Sequence, residues 1–348
     1  MRYQATRYDL DFKFDAGTSR GVLRSKASWF IQIEEDGKKG IGECGILKGL
    51  SIEDFSSFDQ NIREFLDESP DLNQIKDSDE LGKLPSLRFA LEMAALDLRG
   101  RNNGILYNNE FTSGKASIPI NGLVWMGEYQ FMYDQIKKKI DDGYTCIKLK
   151  IGAIDFEKEI SLLKYIRGQF GAQDIEIRVD ANGAFTPENA LEKLKTLSDY
   201  SIHSIEQPIK QGQWDEMARL CSQSPLAIAL DEELIGIKSL DVKRKCLDTI
   251  QPQYIIFKPS LIGGYQSCEE WIELADERSI GYWITSALES NIGLNAIAQW
   301  TFEKGIDMPQ GLGTGQLYHN NFEGPLYIEN GALHFRPDIP VYQNFDLF

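Results

Sequence analysis

Tyr144-Thr145-Cys146-Ile147-Lys148-Leu149-Lys150 is a short β-rich run that ends on two lysines sharing one face of a strand. Four further runs end the same way, on a charged residue: 175–180 on Asp180, 202–206 on Glu206, 227–231 on Asp231 and 254–258 on Lys258. From Lys150 these closing residues lie 30, 26, 25 and 27 residues apart in turn. Each gap has room for one amphipathic helix and two short loops. Residues 156–169 are an example, with Phe156, Ile160, Leu163 and Ile166 facing one way. Runs at 118–121 and 282–286, with a weaker one at 308–311, bring the total to eight. Repeated β-α units of this length predict a parallel sheet, and eight such strands suit a closed barrel better than an open sheet. No glycine-rich phosphate fingerprint follows the first run, which disfavours a dinucleotide-binding fold.

Outward from the repeat the pattern is different. Residues 3–12 alternate in polarity like a half-buried strand, and 27–46 read as two strands around a turn at Asp36-Gly37. Between them lies a polar loop, Asp15-Ala16-Gly17-Thr18-Ser19-Arg20-Gly21. Helices are expected at about 52–68 and from Pro85-Ser86 to near Gly100, the second with Leu87, Leu91, Ala94, Ala95 and Leu98 on one face. This α+β region covers 1–115. The tail, 320–348, returns to mixed polarity and is expected to pack back on it, leaving 116–319 for the barrel.

The length of 348 residues suits one large domain and a smaller one, and 42% hydrophobic residues supply a sizeable core. With 37 basic and 53 acidic residues the net charge is −16, which argues against nucleic acid or an anionic membrane as partner. The first residues lack the apolar core of a signal peptide, and no apolar run reaches the length of a membrane span. Five scattered cysteines without a C-x-x-C read as reduced thiols of a cytoplasmic protein. A homo-oligomer is compatible with all of this.

Any one acid after a strand is ordinarily a helix cap or a solvated loop residue. Five consecutive strands ending in charge are harder to dismiss, because the C-terminal ends of barrel strands are where active sites form. Asp180, Glu206 and Asp231 converging alone would repel one another and raise each other's pKa. A cation removes that conflict, and an all-oxygen ligand set favours Mg²⁺ over Zn²⁺, with Mn²⁺ an acceptable substitute. Lysines on either side of such a site are expected to lose proton affinity and act as bases near neutral pH. A metal and a facing ammonium can stabilise the enediolate formed when a proton is removed next to a carboxylate. The expected partner is therefore a small carboxylate.

These residues resemble the enolase superfamily, in its muconate-lactonising subgroup. Lys148-Leu149-Lys150 looks like the second-strand K-x-K, Asp180-Ala181-Asn182 like the third-strand D-x-N, and Glu206-Gln207-Pro208 and Asp231-Glu232 like the next two metal ligands. Lys258-Pro259 looks like the sixth-strand lysine. The chemistry this implies, a lysine base working with Mg²⁺, is the superfamily's known pattern. The resemblance covers the whole chain and implies a modified (β/α)7β TIM-like barrel capped by an α+β domain drawn from both ends. Mandelate-racemase-like members use a histidine base beyond the fifth strand, whereas here His203 lies inside the fourth and His319 and His334 are in the tail, and Gly311-Leu312-Gly313-Thr314-Gly315-Gln316 lacks the eighth-strand Asp-x-Asp of dipeptide epimerases. Residues 121–125, 286–293 and 311–315 resemble members that dehydrate 2-succinyl-6-hydroxy-2,4-cyclohexadiene-1-carboxylate to 2-succinylbenzoate in menaquinone biosynthesis.

The resemblance implies roles by position. Lys150 removes the proton and returns it to the leaving hydroxyl, Lys258 faces it across the site, and Lys148 assists the carboxylate or Lys150. Asp180, Glu206 and Asp231 hold the metal. Ser286, Asn182, Arg178, Gly311, Leu312 and Thr314 are candidate substrate contacts, though Arg178 can equally serve to balance buried carboxylates. The 17–21 loop is a candidate lid, and Leu47-Lys48-Gly49 a candidate border of the site. Two other readings stay open: a dipeptide epimerase or N-acylamino acid racemase using the same two lysines, and a non-catalytic barrel that keeps the metal cage.

Overall fold

A computed structural model describes the 348 residues except 19, 20, 76, 77 and 102. The N-terminal region is an antiparallel sheet of β1 (Arg2–Thr18), β2 (Gly21–Glu35) and β3 (Lys38–Gly45), in that order. Asp36 and Gly37 both take positive φ, 49° and 78°, as a two-residue hairpin turn requires. Two helices follow, α1 (Phe58–Asp67) and α2 (Pro85–Arg99). The first starts later than its expected bound near 52. The Asp54 carboxylate binds Ser56 N at 3.1 Å and turns the chain before the helix can begin. Helix α2 lies directly on β3. A Cβ at Gly40 would stand 2.0 Å from Ala94 O, and one at Gly42 1.9 Å from Ala90 O.

The expected loop at 15–21 is instead a long hairpin. Residues up to Thr18 continue β1 and Gly21 opens β2, with a register shift between Asp11 and Ala16. Ser19 and Arg20 of that loop lie outside the described residues.

The repeat forms β5 (Gly122–Val124), β6 (Cys146–Lys150), β7 (Glu176–Asp180), β8 (Ser204–Glu206), β9 (Ala227–Leu230), β10 (Tyr254–Phe257) and β11 (Gly281–Ile284), each paired in parallel with its neighbours in sequence. Helices α3 (Tyr129–Asp141), α4 (Phe156–Gln169), α5 (Pro187–Ser198), α6 (Trp214–Gln223), α7 (Leu240–Ile250), α8 (Pro259–Ile262), α9 (Gly264–Asp276) and α10 (Asn291–Glu303) return the chain between strands or follow the last. The outward side chains of the strands, such as Ile147, Leu149, Val179 and Ile205, join the helices in one buried core. The eighth run closes the ring through single bridges, Gln310 to Ile120 and Gly311 to Thr285.

The expected first run, 118–121, splits in two. β4 (Ile118–Pro119) leaves the barrel and pairs with β13 (Ala332–Phe335), itself paired with β12 (Leu326–Glu329). Ile120 then bridges to Gln310 in the closing segment, and pairing with β6 starts at Gly122. The tail thus divides its contacts. Its middle pairs with β4, while Tyr342 OH reaches Asp97 Oδ2 of α2 and Phe345 packs on Phe30 of β2. All five cysteines are free and buried. Among the described residues no helix is long and apolar enough to cross a membrane.

Candidate active site

Parallel pairing sets the acidic ring. Lys150 pairs with Asp180, and Asp180 with Glu206. From there the charges climb. Glu206 pairs with Ala229, two residues before Asp231, and Leu230 pairs with Ile255, which leaves Asp231 two residues short of the level of Lys258. The ring is therefore a staircase along the hydrogen-bonded rows. Barrel strands are tilted and sheared, so side chains that meet around one axis must be staggered in register.

The side chains meet. Lys148 Nζ stands 3.1 Å from Asp180 Oδ2 and also donates to Glu206 Oε2. Lys150 Nζ donates to Asn182 Oδ1 at 2.9 Å and lies 3.4 Å from Asp180 Oδ2. Lys258 Nζ donates to Asp231 Oδ2. Both lysines of β6 thus face inward, as strand alternation predicts. Beyond β7 the backbone enters the left-handed region at Asn182 (φ 44°), and Asn182 N donates to Asp180 Oδ1 at 3.0 Å. Strained backbone of this kind clusters at functional sites. Gln207 (φ 37°) does the same after β8, and its Oε1 accepts from Asp231 N at 3.2 Å and Glu233 N at 3.3 Å. It thereby fixes the turn that carries Asp231.

Burial and like charge decide the protonation of this cluster. Burial pushes the Glu206 carboxyl up to about 7, with Asp180 and Asp231 adding to the rise against the pull of Lys148. Burial would also raise Asp180, but Lys148, Lys150 and Lys258 outweigh it and hold that carboxyl well below the usual range. Around two of the flanking lysines it is the carboxylates that set the charge. Burial disfavours their charge, yet Asp180, Glu206 and Asp231 hold Lys148 firmly as an ammonium, and Asp231 and Glu232 do so for Lys258. Carboxylates, rather than a second cation, are their nearest charged neighbours.

Among the described residues no three acidic, histidine or cysteine side chains stand as a preassembled metal cage. The Lys148 ammonium lies between Asp180 and Glu206, and that of Lys258 lies against Asp231. The donor set still fits a hard divalent cation. Asp180, Glu206 and Asp231 bring oxygen ligands from consecutive strands, and Glu206 Oε1 is buried with no hydrogen-bond partner.

The ring opens into a cavity of about 350 Å³. Lys148, Lys150, Asp180, Asn182, Glu232 and Lys258 line its charged part. The wall comes from Trp125, from Thr285, Ser286, Ala287 and Leu288 beyond β11, and from Gly311, Gly313 and Thr314 of the closing segment. The cap adds Phe14 and Leu23 from the long hairpin, and Leu47, Lys48 and Leu50 after β3. The loop at 47–49 therefore borders the cavity, as expected.

The candidate substrate contacts divide. Ser286 and Thr314 line the wall and share a hydrogen bond of 2.5 Å between their hydroxyls. Asn182 is bound to Lys150 and donates through Nδ2 to Glu232 Oε1 at 3.0 Å. Gly311 lines the cavity, but its missing side chain makes room for the barrel and not for a ligand, since a Cβ there would lie 2.2 Å from Thr285 Oγ1. The Leu312 side chain is fully buried in the hydrophobic core and is not part of the cavity lining. Arg178 points inward one layer below Asp180, donates to Glu176 Oε1 at 2.7 Å and Pro309 O at 2.9 Å, and stacks 4.4 Å from the Trp283 ring without lining the cavity, which is the placement of its structural reading. Sequence reasoning noted Glu232 only as the neighbour of Asp231 and gave it no role, and it passed over Phe14 and Leu23, which a hairpin carries in from the far end of the chain.

The family model described as enolase C-terminal domain-like matches residues 132–340. An o-succinylbenzoate synthase of Desulfotalea psychrophila is 51% identical, over 96% of this chain and 98% of that protein. The crystal structure of MenC from Desulfotalea psychrophila superposes with a TM-score of 0.86 at 47% identity, covering 96% of this chain and 99% of that one. A dipeptide epimerase of Enterococcus faecalis, complexed with Mg and the dipeptide L-Leu-L-Tyr, gives a TM-score of 0.82 at 21% identity over 98% of both chains, which shows a shared fold.

Proposed function

The chain belongs to the enolase superfamily, and from that premise we propose that it carries out the reaction for which its Desulfotalea psychrophila relative is named, dehydrating 2-succinyl-6-hydroxy-2,4-cyclohexadiene-1-carboxylate to 2-succinylbenzoate. What favours dehydration over epimerisation is the charge of the cavity wall. Among the described residues its acids are Asp180 and Glu232, both already engaged by lysine or asparagine, while Lys48 adds positive charge from the cap side of the lining. A substrate with a second carboxylate finds a cation there. A dipeptide ammonium finds no free acid.

The residues divide the work by position. Lys150 takes the proton from the carbon beside the ring carboxylate and becomes an ammonium. The electron pair left behind expels the hydroxyl, which departs as water with the proton that Lys150 returns, and the ring becomes aromatic. Lys258, held as an ammonium by Asp231, faces the developing negative charge from the other side of the ring. Asn182 orients Lys150 through its 2.9 Å bond. Asp180, Glu206 and Asp231 would hold Mg²⁺, which supplies positive charge to the substrate carboxylate as its basicity rises.

The test is a direct assay of the cyclohexadiene, with Mg²⁺ and with a chelator. Dehydration is expected with the metal and not without it. Lys150→Ala should lose about 1,000-fold or more in kcat while still binding 2-succinylbenzoate by calorimetry. Full activity in that variant would remove Lys150 from the mechanism. Deuterium exchange with inversion of an N-succinyl amino acid, and no dehydration, would make the protein a racemase instead.

A further inference from the structure

A buried polar network joins the cap to the barrel wall at a place the chemistry above does not use. Glu43 of β3, fully buried, accepts from Ser290 N at 3.0 Å, from Ser290 Oγ at 2.5 Å and from Gly293 N at 2.9 Å. Its carboxylate therefore sits on the N-terminal turn of α10, where free N–H groups and the helix dipole favour negative charge. Behind it Ser28 Oγ donates to Glu43 Oε1 at 2.8 Å, and the buried Lys26 ammonium stands 3.8 Å from the same oxygen. Two glycines leave room for this group. A Cβ at Gly45 would meet Lys26 Nζ at 2.3 Å, and one at Gly293 would meet Glu43 Oε2 at 2.8 Å.

The segment held this way is strained. Leu288 lies between Ser286 and Ser290 with φ 65°, a conformation a leucine keeps only under constraint. Leu288, Ala287 and Ser286 all line the cavity. Three further bonds surround the strain. Glu289 Oε2 accepts from Ala287 N at 2.7 Å, Glu289 Oε1 accepts from Ser260 Oγ at 2.5 Å, and Tyr318 OH donates to Leu288 O at 2.7 Å. A buried charge pair contributes little net stability against an apolar filling of the same space, so its place beside a strained cavity wall calls for another role.

We propose that Glu43 is a positioning residue that reaches from the cap to clamp residues 286–290 in the strained form that shapes the substrate-binding wall. It touches neither substrate nor the reacting atoms. Its loss lets the wall relax and weakens binding while the lysines keep their geometry. The kinetic readout rests on the dehydration reading; the exchange readout does not.

The experiment compares wild type, Glu43→Gln, Leu288→Gly and the double variant by steady-state kinetics and by amide hydrogen exchange over 286–290. Glu43→Gln should raise KM about tenfold and leave kcat within about twofold. Amides 287–290 should exchange faster. Glycine takes positive φ without constraint, so in the Leu288→Gly background the Glu43→Gln effect on KM should shrink to about twofold or less. An unchanged KM, a loss confined to kcat, or an equal effect in both backgrounds would overturn the proposal. If Glu43→Gln does not fold, Ser290→Ala, which deletes one bond to the carboxylate, takes its place in the same cycle with the same criteria. If wild type does not dehydrate the cyclohexadiene, the functional reading fails. The clamp is then decided by exchange alone, and unaltered exchange in the variant would defeat it.

Discussion

Lys48 is exposed after β3, yet its side chain is part of the cavity lining. An ammonium there attracts the second carboxylate of a dicarboxylate substrate through solvent, a contribution that added salt should screen. Lys48→Glu is expected to raise KM about three- to tenfold at low ionic strength, and the ratio to wild type should narrow as salt is added. A KM that does not respond would place the succinyl carboxylate elsewhere. At this scale the sequence was most legible where spacing repeats. Lys150, Asp180, Glu206, Asp231 and Lys258 could be found because each closes a β-α unit. Glu43 could not, because a single acid in an alternating strand carries no sign of a partner 247 residues away.

Elements were legible where they are long and periodic. α2 runs from Pro85 to Arg99 much as its apolar face predicts, and β6 and β7 end on the expected residues. Short apolar runs were not. Residues 118–121 give half their length to a different sheet, since a two-residue strand has the same pattern whichever partner it takes. The eighth run is equally brief, and its fit depends on Gly311. Gly311→Ala, with its Cβ directed at Thr285 Oγ1, should destabilise the protein by about 1–3 kcal/mol through overpacking, read as a lower urea midpoint. An unaltered midpoint would mean that the closing segment is not tightly seated.

At the level of the whole molecule the cap is tied to the barrel by buried carboxylates. Glu92 of α2 accepts from Tyr265 N at 2.5 Å and from Gln266 N at 3.4 Å on α9, and burial pushes its carboxyl up to about 7 from an ordinary 4.5. A folded-state pKa above the unfolded value means that the folded state holds a proton the unfolded chain has lost. This contribution is therefore present below pH 4.5 and declines as pH rises to about 7. Chemical denaturation across that window should show wild type losing about 3 kcal/mol more than Glu92→Gln. Parallel profiles would show that Glu92 is not responsible. The overall architecture was legible, because seven β-α units and a closing strand leave few alternatives. The sharing of the tail between β4 and the cap was not, because mixed polarity names no partner. The closing of the ring has one more implication. Neighbouring strands share between two and five paired residues, whereas the last joint is a single bridge on each side. A cylinder loosened by heat or denaturant splits along its weakest seam. Here the seam runs beside Ser286, Gly311 and Thr314, so the first crack in the barrel would open straight into the catalytic chamber, and activity should fade before the fold does.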